Sequence, residues 1–114
     1  MRICKKNALR LWKMCYGEAM YAEDFHGNLM CRNGYGNPDF YIIEDGERIY
    51  CGWNLHHILP RAFGGRNVIS NLLCTNIATN EEAGNRITFW SEDCLYQVQK
   101  CNNLEYRSVK LRRQ

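Results

Sequence analysis

Two adjacent histidines, His56 and His57, are the residues of this sequence best suited to chemistry. They stand at the end of a predicted strand, and a proline, Pro60, and the glycine pair Gly64-Gly65 follow them. Neutral imidazole binds divalent metal ions and also accepts a proton near pH 7, so the pair can supply one metal ligand and one general base. A histidine doublet alone is more often a coincidence of one packed and one solvated ring. Its interpretation therefore depends on the residues that follow.

Two asparagines follow the doublet in an ordered pattern. Asn71 lies 14 residues after His57 and opens a short apolar run, and Asn80 lies 9 residues further on. A histidine doublet that ends one strand, an asparagine that enters the next strand and an asparagine on the following helix resemble the ββα-metal motif of the HNH endonuclease family. The spacing is similar to that of the HNH domain in CRISPR effector nucleases, and the doublet is similar to that of the colicin DNases. Residues 52–90 carry the resemblance.

The part of the chain before the motif is also similar to short, stand-alone HNH proteins of bacteria and phages. The similar segments are Asp24-Phe25-His26-Gly27, Tyr35-Gly36 and Gly52-Trp53-Asn54. We therefore interpret residues 1–114 as a single HNH-like nuclease domain with its motif core at residues 52–90.

The resemblance implies a metal-dependent endonuclease that hydrolyses phosphodiester bonds of DNA. It gives His57 the role of general base, and it gives Asn71 the role of positioning the loop and the His57 ring. His56 and Asn80 are the implied ligands of one divalent metal ion. The expected ion is Mg²⁺ or Mn²⁺, with Zn²⁺ and Ni²⁺ as alternatives. Many members have aspartate where His56 stands, and a carboxylate favours a hard ion such as Mg²⁺, whereas imidazole suits Zn²⁺, Ni²⁺ or Mn²⁺ better.

Cations near the motif and at both ends of the chain point to a polyanionic partner, and DNA is the expected one. Within or just after the motif, the candidate nucleic-acid-binding residues are Arg61, Arg66 and Arg86. The cations at the two ends are Arg2, Lys5, Lys6, Arg10 and Lys13, and Arg107, Lys110, Arg112 and Arg113. The alternative for the two ends is that they are ordinary solvated surfaces.

Length and composition limit the class of protein. The chain has 114 residues, of which 46 % are hydrophobic and 24 % charged, and this is typical of one folded domain. No stretch approaches the roughly 18 apolar residues of a membrane span, and no apolar signal region follows the charged start. We therefore expect a cytoplasmic protein with no membrane association. The seven cysteines are odd in number and contain no C-x-x-C pair, which favours buried reduced thiols over a metal cluster.

Local patterns predict the elements of the first half of the chain. Apolar residues at helical spacing predict an N-terminal helix that ends at Gly17; they are Cys4, Ala8, Leu11, Trp12 and Cys15. A short strand is expected at residues 29–32. The pair Asp45-Gly46 between residues 40–44 and 47–53 predicts a β-hairpin whose second arm runs towards Leu55.

Capping signals predict two helices in the second half. Residues 79–82 have the form of a capping box, so a helix should begin near Asn80. Residues 91–93 should open a C-terminal helix that carries Leu95, Val98 and Cys101. The three tryptophans, Trp12, Trp53 and Trp90, are expected in the core. The predicted fold class is α+β, a ββα-metal centre with an N-terminal helix, an additional hairpin and a C-terminal helix.

Two other functions stay open at the level of sequence. A non-catalytic DNA-binding or inhibitory protein with the same fold is one, and the absence of an acidic residue at position 56 is the argument for it. A structural zinc domain built from scattered cysteines and histidines is the other.

Overall fold

A computed structural model describes residues 1–101 and 105–113 of the chain. Over these residues the protein has an α+β fold with two α-helices and nine strands. The elements are α1 (Lys5–Tyr16), β1 (Tyr21–Glu23), β2 (Leu29–Cys31), β3 (Tyr41–Glu44), β4 (Glu47–Tyr50), β5 (Trp53–His57), β6 (Leu72–Asn76), α2 (Ile77–Ala83), β7 (Thr88–Ser91), β8 (Cys94–Lys100) and β9 (Tyr106–Arg113). The strands pair antiparallel as β1–β2, β3–β4, β5–β6 and β7–β8–β9.

The N-terminal helix α1 confirms the prediction from apolar spacing. Its buried face consists of Ala8, Leu11 and Trp12, which recur at the period of a helix. It ends at Gly17, whose φ of 61° is readily adopted only by a residue without a side chain. The buried face packs into the larger hydrophobic core, where the ring centroids of Trp12 and Trp53 are 4.9 Å apart.

The predicted hairpin is present as β3 and β4, and its turn residues Asp45 and Gly46 both have positive φ. The prediction that its second arm continues towards Leu55 is wrong. The chain leaves the hairpin after Tyr50, and β5 pairs with β6 instead. Between the two strands the chain passes Gly52, where the carbonyl oxygen of Asn37 lies so close that a Cβ would overlap it, so this close approach requires glycine.

The helix α2 begins three residues before the predicted start. Asn76 is its N-cap, and the side chain of Asn76 accepts a hydrogen bond of 2.9 Å from the backbone N–H of Ala78. The predicted capping residue, Thr79, lies buried inside the helix, where its hydroxyl accepts a hydrogen bond from the side chain of Asn28. The capping-box prediction failed because Thr79 is used in a contact with a distant turn.

The prediction of a C-terminal helix is also wrong, because this part of the chain forms the β7–β8–β9 sheet. Ser91 ends β7, and residues 92–93 form the tight turn to β8, where Glu92 has a φ of 53°. Cys94 and Tyr96 in β8 are buried, whereas the residues that follow each of them, Leu95 and Gln97, are partly exposed. This period of two is that of a strand, and it buries one face of the sheet against Ala83 of α2.

A buried junction between Asp24 and Asn76 joins several elements. One carboxylate oxygen of Asp24 accepts hydrogen bonds from the backbone N–H groups of His26 and Asn28, and the other accepts from the backbone N–H of Asn76. The amide nitrogen of Asn76 donates to the carbonyl oxygens of Leu29 (2.8 Å) and Tyr50 (3.1 Å). The turn after β1, the end of β4 and the start of α2 are thereby held together.

The seven cysteines are free thiols, and four of them are buried: Cys31, Cys51, Cys74 and Cys94. Among the described residues, neither helix has the length and apolar character needed to cross a bilayer.

We expect Asn76→Ala to lower the free energy of unfolding by about 2–4 kcal/mol, because it removes the cap of α2 and leaves two strand carbonyls without their donor. Asn76→Asp should be no more stable than Asn76→Ala, since it retains the capping oxygen but places a carboxylate near Asp24 and the two carbonyls. Chemical denaturation measures both. Asn33→Ala, at an exposed site, is the control and should change stability by less than about 0.5 kcal/mol. If Asn76→Asp were as stable as the wild type, the hydrogen bonds from Asn76 to the two strand carbonyls would not contribute to stability, and only the cap of α2 would.

Candidate functional site

The candidate site is a cavity of about 360 Å³ at the end of β5. The two histidines reach it from this strand end, and Asn80 and Glu81 reach it from α2. Pro60 and Arg61 complete one wall, where the chain turns into a single turn of 3-10 helix at Arg61–Phe63. The antiparallel pairing of β5 with β6, followed directly by α2, brings His56, His57, Arg61 and Asn80 together.

His56 is buried, with 3 % of its surface exposed, and it is held by amides and an aromatic ring. Its Nδ1 lies 2.6 Å from Oδ1 of Asn80, and the amide nitrogen of Asn80 donates to Oδ1 of Asn54 over 2.7 Å. In this hydrogen-bond pattern Asn80 directs its oxygen at His56, so the Nδ1 proton of His56 is the donor. The ring of Phe25 stacks against the imidazole at a centroid distance of 6.1 Å.

The Nε2 atom of His56 is buried and has no hydrogen-bond partner. Burial lowers the pKa of His56 below its ordinary value of 6.5, and the nearby His57 lowers it further, against the opposing effects of the Asn80 hydrogen bond and the Asp24 charge. Because the protonated ring would be poorly solvated there, His56 is neutral at pH 7.

The second histidine, His57, is held by Asn67, a residue that sequence reasoning missed. Oδ1 of Asn67 lies 2.6 Å from Nε2 of His57, and the same oxygen accepts a hydrogen bond of 3.1 Å from Nη1 of Arg61. A guanidinium group only donates, so the atom it contacts is the amide oxygen. An amide oxygen only accepts, so His57 carries its proton on Nε2. The neutral ring therefore keeps a free electron pair on Nδ1.

Asn71 is buried and binds the backbone of the loop between β5 and β6. Its Oδ1 accepts from the N–H of Leu59 (2.8 Å), and its amide nitrogen donates to the carbonyl oxygens of Leu59 and Arg66, each at 3.1 Å. The resemblance implied that Asn71 positions both the loop and the His57 ring. The structure places it on the loop, whereas the ring is hydrogen-bonded to Asn67.

The three arginines proposed to bind nucleic acid are exposed but differ in position. Arg61 lines the cavity itself. Arg66 lies on the adjoining loop surface, beside Gly65 and Asn71. Arg86 lies beyond α2, where its guanidinium group donates to the carbonyl oxygen of Glu82. The structure therefore brings only Arg61 into the cavity with the histidines.

Asn67, Asn54 and Phe25 shape the site without having been identified as part of it from the sequence. Asn54 and Phe25 fall inside the segments that are similar to stand-alone HNH proteins, which was a weak signal for them. Glu81 belongs to the predicted capping box at residues 79–82, and in the structure it lines the cavity. No periodicity or motif marks Asn67, because its partner His57 lies 10 residues away across an irregular loop.

A metal ion in this cavity would be held by few protein atoms. Nδ1 of His56 and Oδ1 of Asn80 are hydrogen-bonded to each other at 2.6 Å, so an ion bound by both would have to replace the Nδ1 proton. The carboxylate of Glu81 belongs to the same cavity wall. Over residues 1–101 and 105–113 there is no group of three or more histidine, cysteine or acidic side chains placed to hold a metal. The donor set is therefore sparse and mostly neutral.

Comparison with protein-family models, curated proteins and solved structures found no match to this chain.

We expect the ring of His56 to titrate below pH 6.5 and to carry its proton on Nδ1 when neutral, because it is buried and donates to Asn80. Since the unfolded chain takes up this proton first as the pH falls, His56 should make the folded state less stable below about pH 6.5. NMR titration of the ring protons and nitrogens measures the midpoint and the tautomer. A midpoint at or above 6.5 would contradict the burial argument.

The neighbouring ring of His57 should show the opposite tautomer, with the proton on Nε2, in the same NMR spectra. Asn67→Ala should abolish the preference for the Nε2–H tautomer, because it removes the amide oxygen that accepts this proton. Asn85→Ala is the matched control, since it shortens another asparagine that lines the cavity, and it should leave the tautomer of His57 unchanged. The same tautomer in Asn67→Ala as in the wild type would mean that Asn67 does not fix the ring in solution.

Proposed function

We propose that this protein is a metal-dependent endonuclease of the HNH type that hydrolyses phosphodiester bonds of DNA. One observation carries the proposal. The two histidines of one strand end line a single cavity, where the one ring is neutral and paired with Asn80 and the other keeps a free electron pair on Nδ1. A metal ligand and a general base are the two groups that hydrolysis of a phosphodiester requires.

His57 is the general base in this proposal. Its Nε2–H is bound to Asn67, and this leaves Nδ1 as the atom that accepts a proton from the attacking water. The hydrogen bond limits rotation of the ring and prevents the exchange of tautomers that would block the base. A positioned base of this kind contributes about 10²–10⁴-fold to the rate.

His56 and Asn80 would hold the divalent ion, which would replace the proton between Nδ1 of His56 and Oδ1 of Asn80 and leave the His56 proton on Nε2. Glu81 lies where it can supply charge at the same wall. When bound, such an ion neutralises phosphate charge and stabilises the leaving 3′ oxygen. Phe25 and the short helix α2 fix the two ligands, one by stacking on the His56 ring and the other by carrying Asn80. The proposed ion is Mg²⁺ or Mn²⁺, and the imidazole ligand keeps Zn²⁺ and Ni²⁺ in the set to be tested.

Arg61 is exposed at the cavity and has donors beyond the one that Asn67 uses, so it is the arginine best placed to bind a phosphate beside the cut. Arg66 and Arg86 lie outside the cavity, and we propose them as contacts with the DNA backbone on either side.

Incubation of plasmid DNA with the protein and a panel of Mg²⁺, Mn²⁺, Zn²⁺, Ni²⁺ or EDTA tests the proposal. Cleavage should require a divalent ion. His57→Ala should lower the rate by about 10²–10⁴-fold and leave Mn²⁺ affinity, measured by calorimetry, unchanged. His56→Ala should weaken Mn²⁺ binding. His26→Gln, the third histidine site, is the control and should cleave normally, because the His26 ring is bound to Tyr96 rather than to the cavity.

A non-catalytic DNA-binding or inhibitory protein is the alternative, and it is favoured by the finding that the part of the chain that the structure describes has no group of three or more histidine, cysteine or acidic side chains placed to hold a metal. In that case the plasmid stays intact with every ion while the protein still binds DNA. Cleavage that persists at the wild-type rate in His57→Ala would remove His57 from the mechanism and the proposal with it.

A further inference from the structure

The β7–β8–β9 sheet has one buried and one exposed face, and the exposed face has no role in the cavity described above. The buried face packs against α2 and Phe25 through Phe89, Cys94 and Tyr96. The opposite face is called the outer face below. Its residues are identified from the alternation of side chains along each strand and from the cross-strand register. It consists of Thr88, Trp90, Leu95, Gln97, Gln99, Arg107, Val109 and Arg112.

An exposed tryptophan lies on the outer face, contrary to the expectation that all three tryptophans are core residues. Trp90 is 38 % exposed, whereas Trp12 and Trp53 are 0 % exposed. Leu95 is its cross-strand neighbour, and Arg112 lies beyond Leu95 in the same row. The guanidinium carbon of Arg112 lies 5.4 Å from the centre of the Trp90 ring. A large aromatic ring beside an arginine on an open sheet is a surface that a flat, anionic ligand can use.

The strands of this sheet are strongly cationic. β7, β8 and β9 contain no acidic residue in their described positions, and their cations are Lys100, Arg107, Lys110, Arg112 and Arg113. Arg113 is bound to Asp93 at 3.1 Å, so it is already paired within the protein. Arg107 and Arg112 belong to the outer face itself. The charge of the sheet therefore complements a phosphate backbone.

Two glutamines lie between these cations. The amide of Gln99 donates to the amide oxygen of Gln97 over 2.9 Å, and both belong to the outer face. Amide side chains hydrogen-bond the exposed edges of unpaired bases. The outer face thus combines a stacking ring, two arginines and two amides.

We propose that the outer face binds a single strand of nucleic acid, with phosphates at Arg107 and Arg112 and an unstacked base against Trp90. A closed duplex offers no free base plane to a ring on an open sheet, whereas a single strand does. Binding here uses neither His57 nor the metal ligands, so it can be tested independently of the proposed nuclease activity. The buried face connects the sheet to the cavity through Phe25, whose ring contacts both Tyr96 and His56.

Anisotropy of a labelled oligothymidylate of about 20 nucleotides, with EDTA present to prevent cleavage, measures the affinity of the full chain. Trp90→Ala should weaken binding by about 5- to 100-fold, the usual loss for one stacked base. Trp90→Phe should retain part of the affinity. Arg112→Ala should weaken binding and reduce the salt slope by about 0.7. Arg48→Ala is the matched control, since it removes the same charge from an exposed arginine that also lies over an aromatic ring, that of Tyr41, and binding should change less than about 2-fold.

The intrinsic fluorescence gives a second, independent measurement. Trp90 is the exposed tryptophan, so oligothymidylate should quench the emission of the wild type, and the quenching should be lost in Trp90→Phe. Heparin supplies negative charge without bases and should not reproduce the quenching.

Three results would overturn the proposal: equal losses in Arg48→Ala and Arg112→Ala, unchanged affinity in Trp90→Ala, or tighter binding of the matched duplex than of the single strand. Circular dichroism of each variant establishes that the sheet has formed. Because none of these measurements depends on catalysis, a failure of the proposed nuclease activity leaves their interpretation intact.

Discussion

The junction between Asp24 and Asn76 is the interaction on which the rest of the structure depends. Asn76 uses its backbone N–H, its side-chain oxygen and its side-chain nitrogen in four hydrogen bonds, and it is buried. Such a residue costs free energy in any arrangement that leaves one of these groups without a partner. The junction therefore sets the point where β6 becomes α2, and this point determines where Asn80 meets His56.

The candidate site is organised by amides rather than by carboxylates. Asn80 and Asn67 each present an oxygen to one histidine. Asn71 holds the loop between β5 and β6, which carries Asn67. An amide oxygen fixes the tautomer of a ring without placing a charge beside it. The two rings then leave different nitrogen atoms free, which allows neighbouring residues of one strand to take different chemical roles.

The aromatic cluster around Phe25 joins this site to the C-terminal sheet. Phe25 contacts His56 on one side and Phe89 and Tyr96 on the other. The smaller hydrophobic core is thus built against the site. A sheet in this position gives α2 a second surface to pack on, which a helix of seven residues needs because isolated short helices are unstable.

Sequence alone determined the features whose physical causes act within a few residues. The helix α1, its end at Gly17 and the turn at Asp45-Gly46 follow from period and backbone preference, and the α+β class follows from their mixture. The order of His56, His57 and Asn80 was also visible, although their roles came from a resemblance. Tertiary structure decided where α2 begins, that β8 is a strand and that Asn67 holds His57. These outcomes depend on partners distant in the chain, such as Asn28 with Thr79 and Asp24 with Asn76, and no local pattern records which polar group such a partner will satisfy.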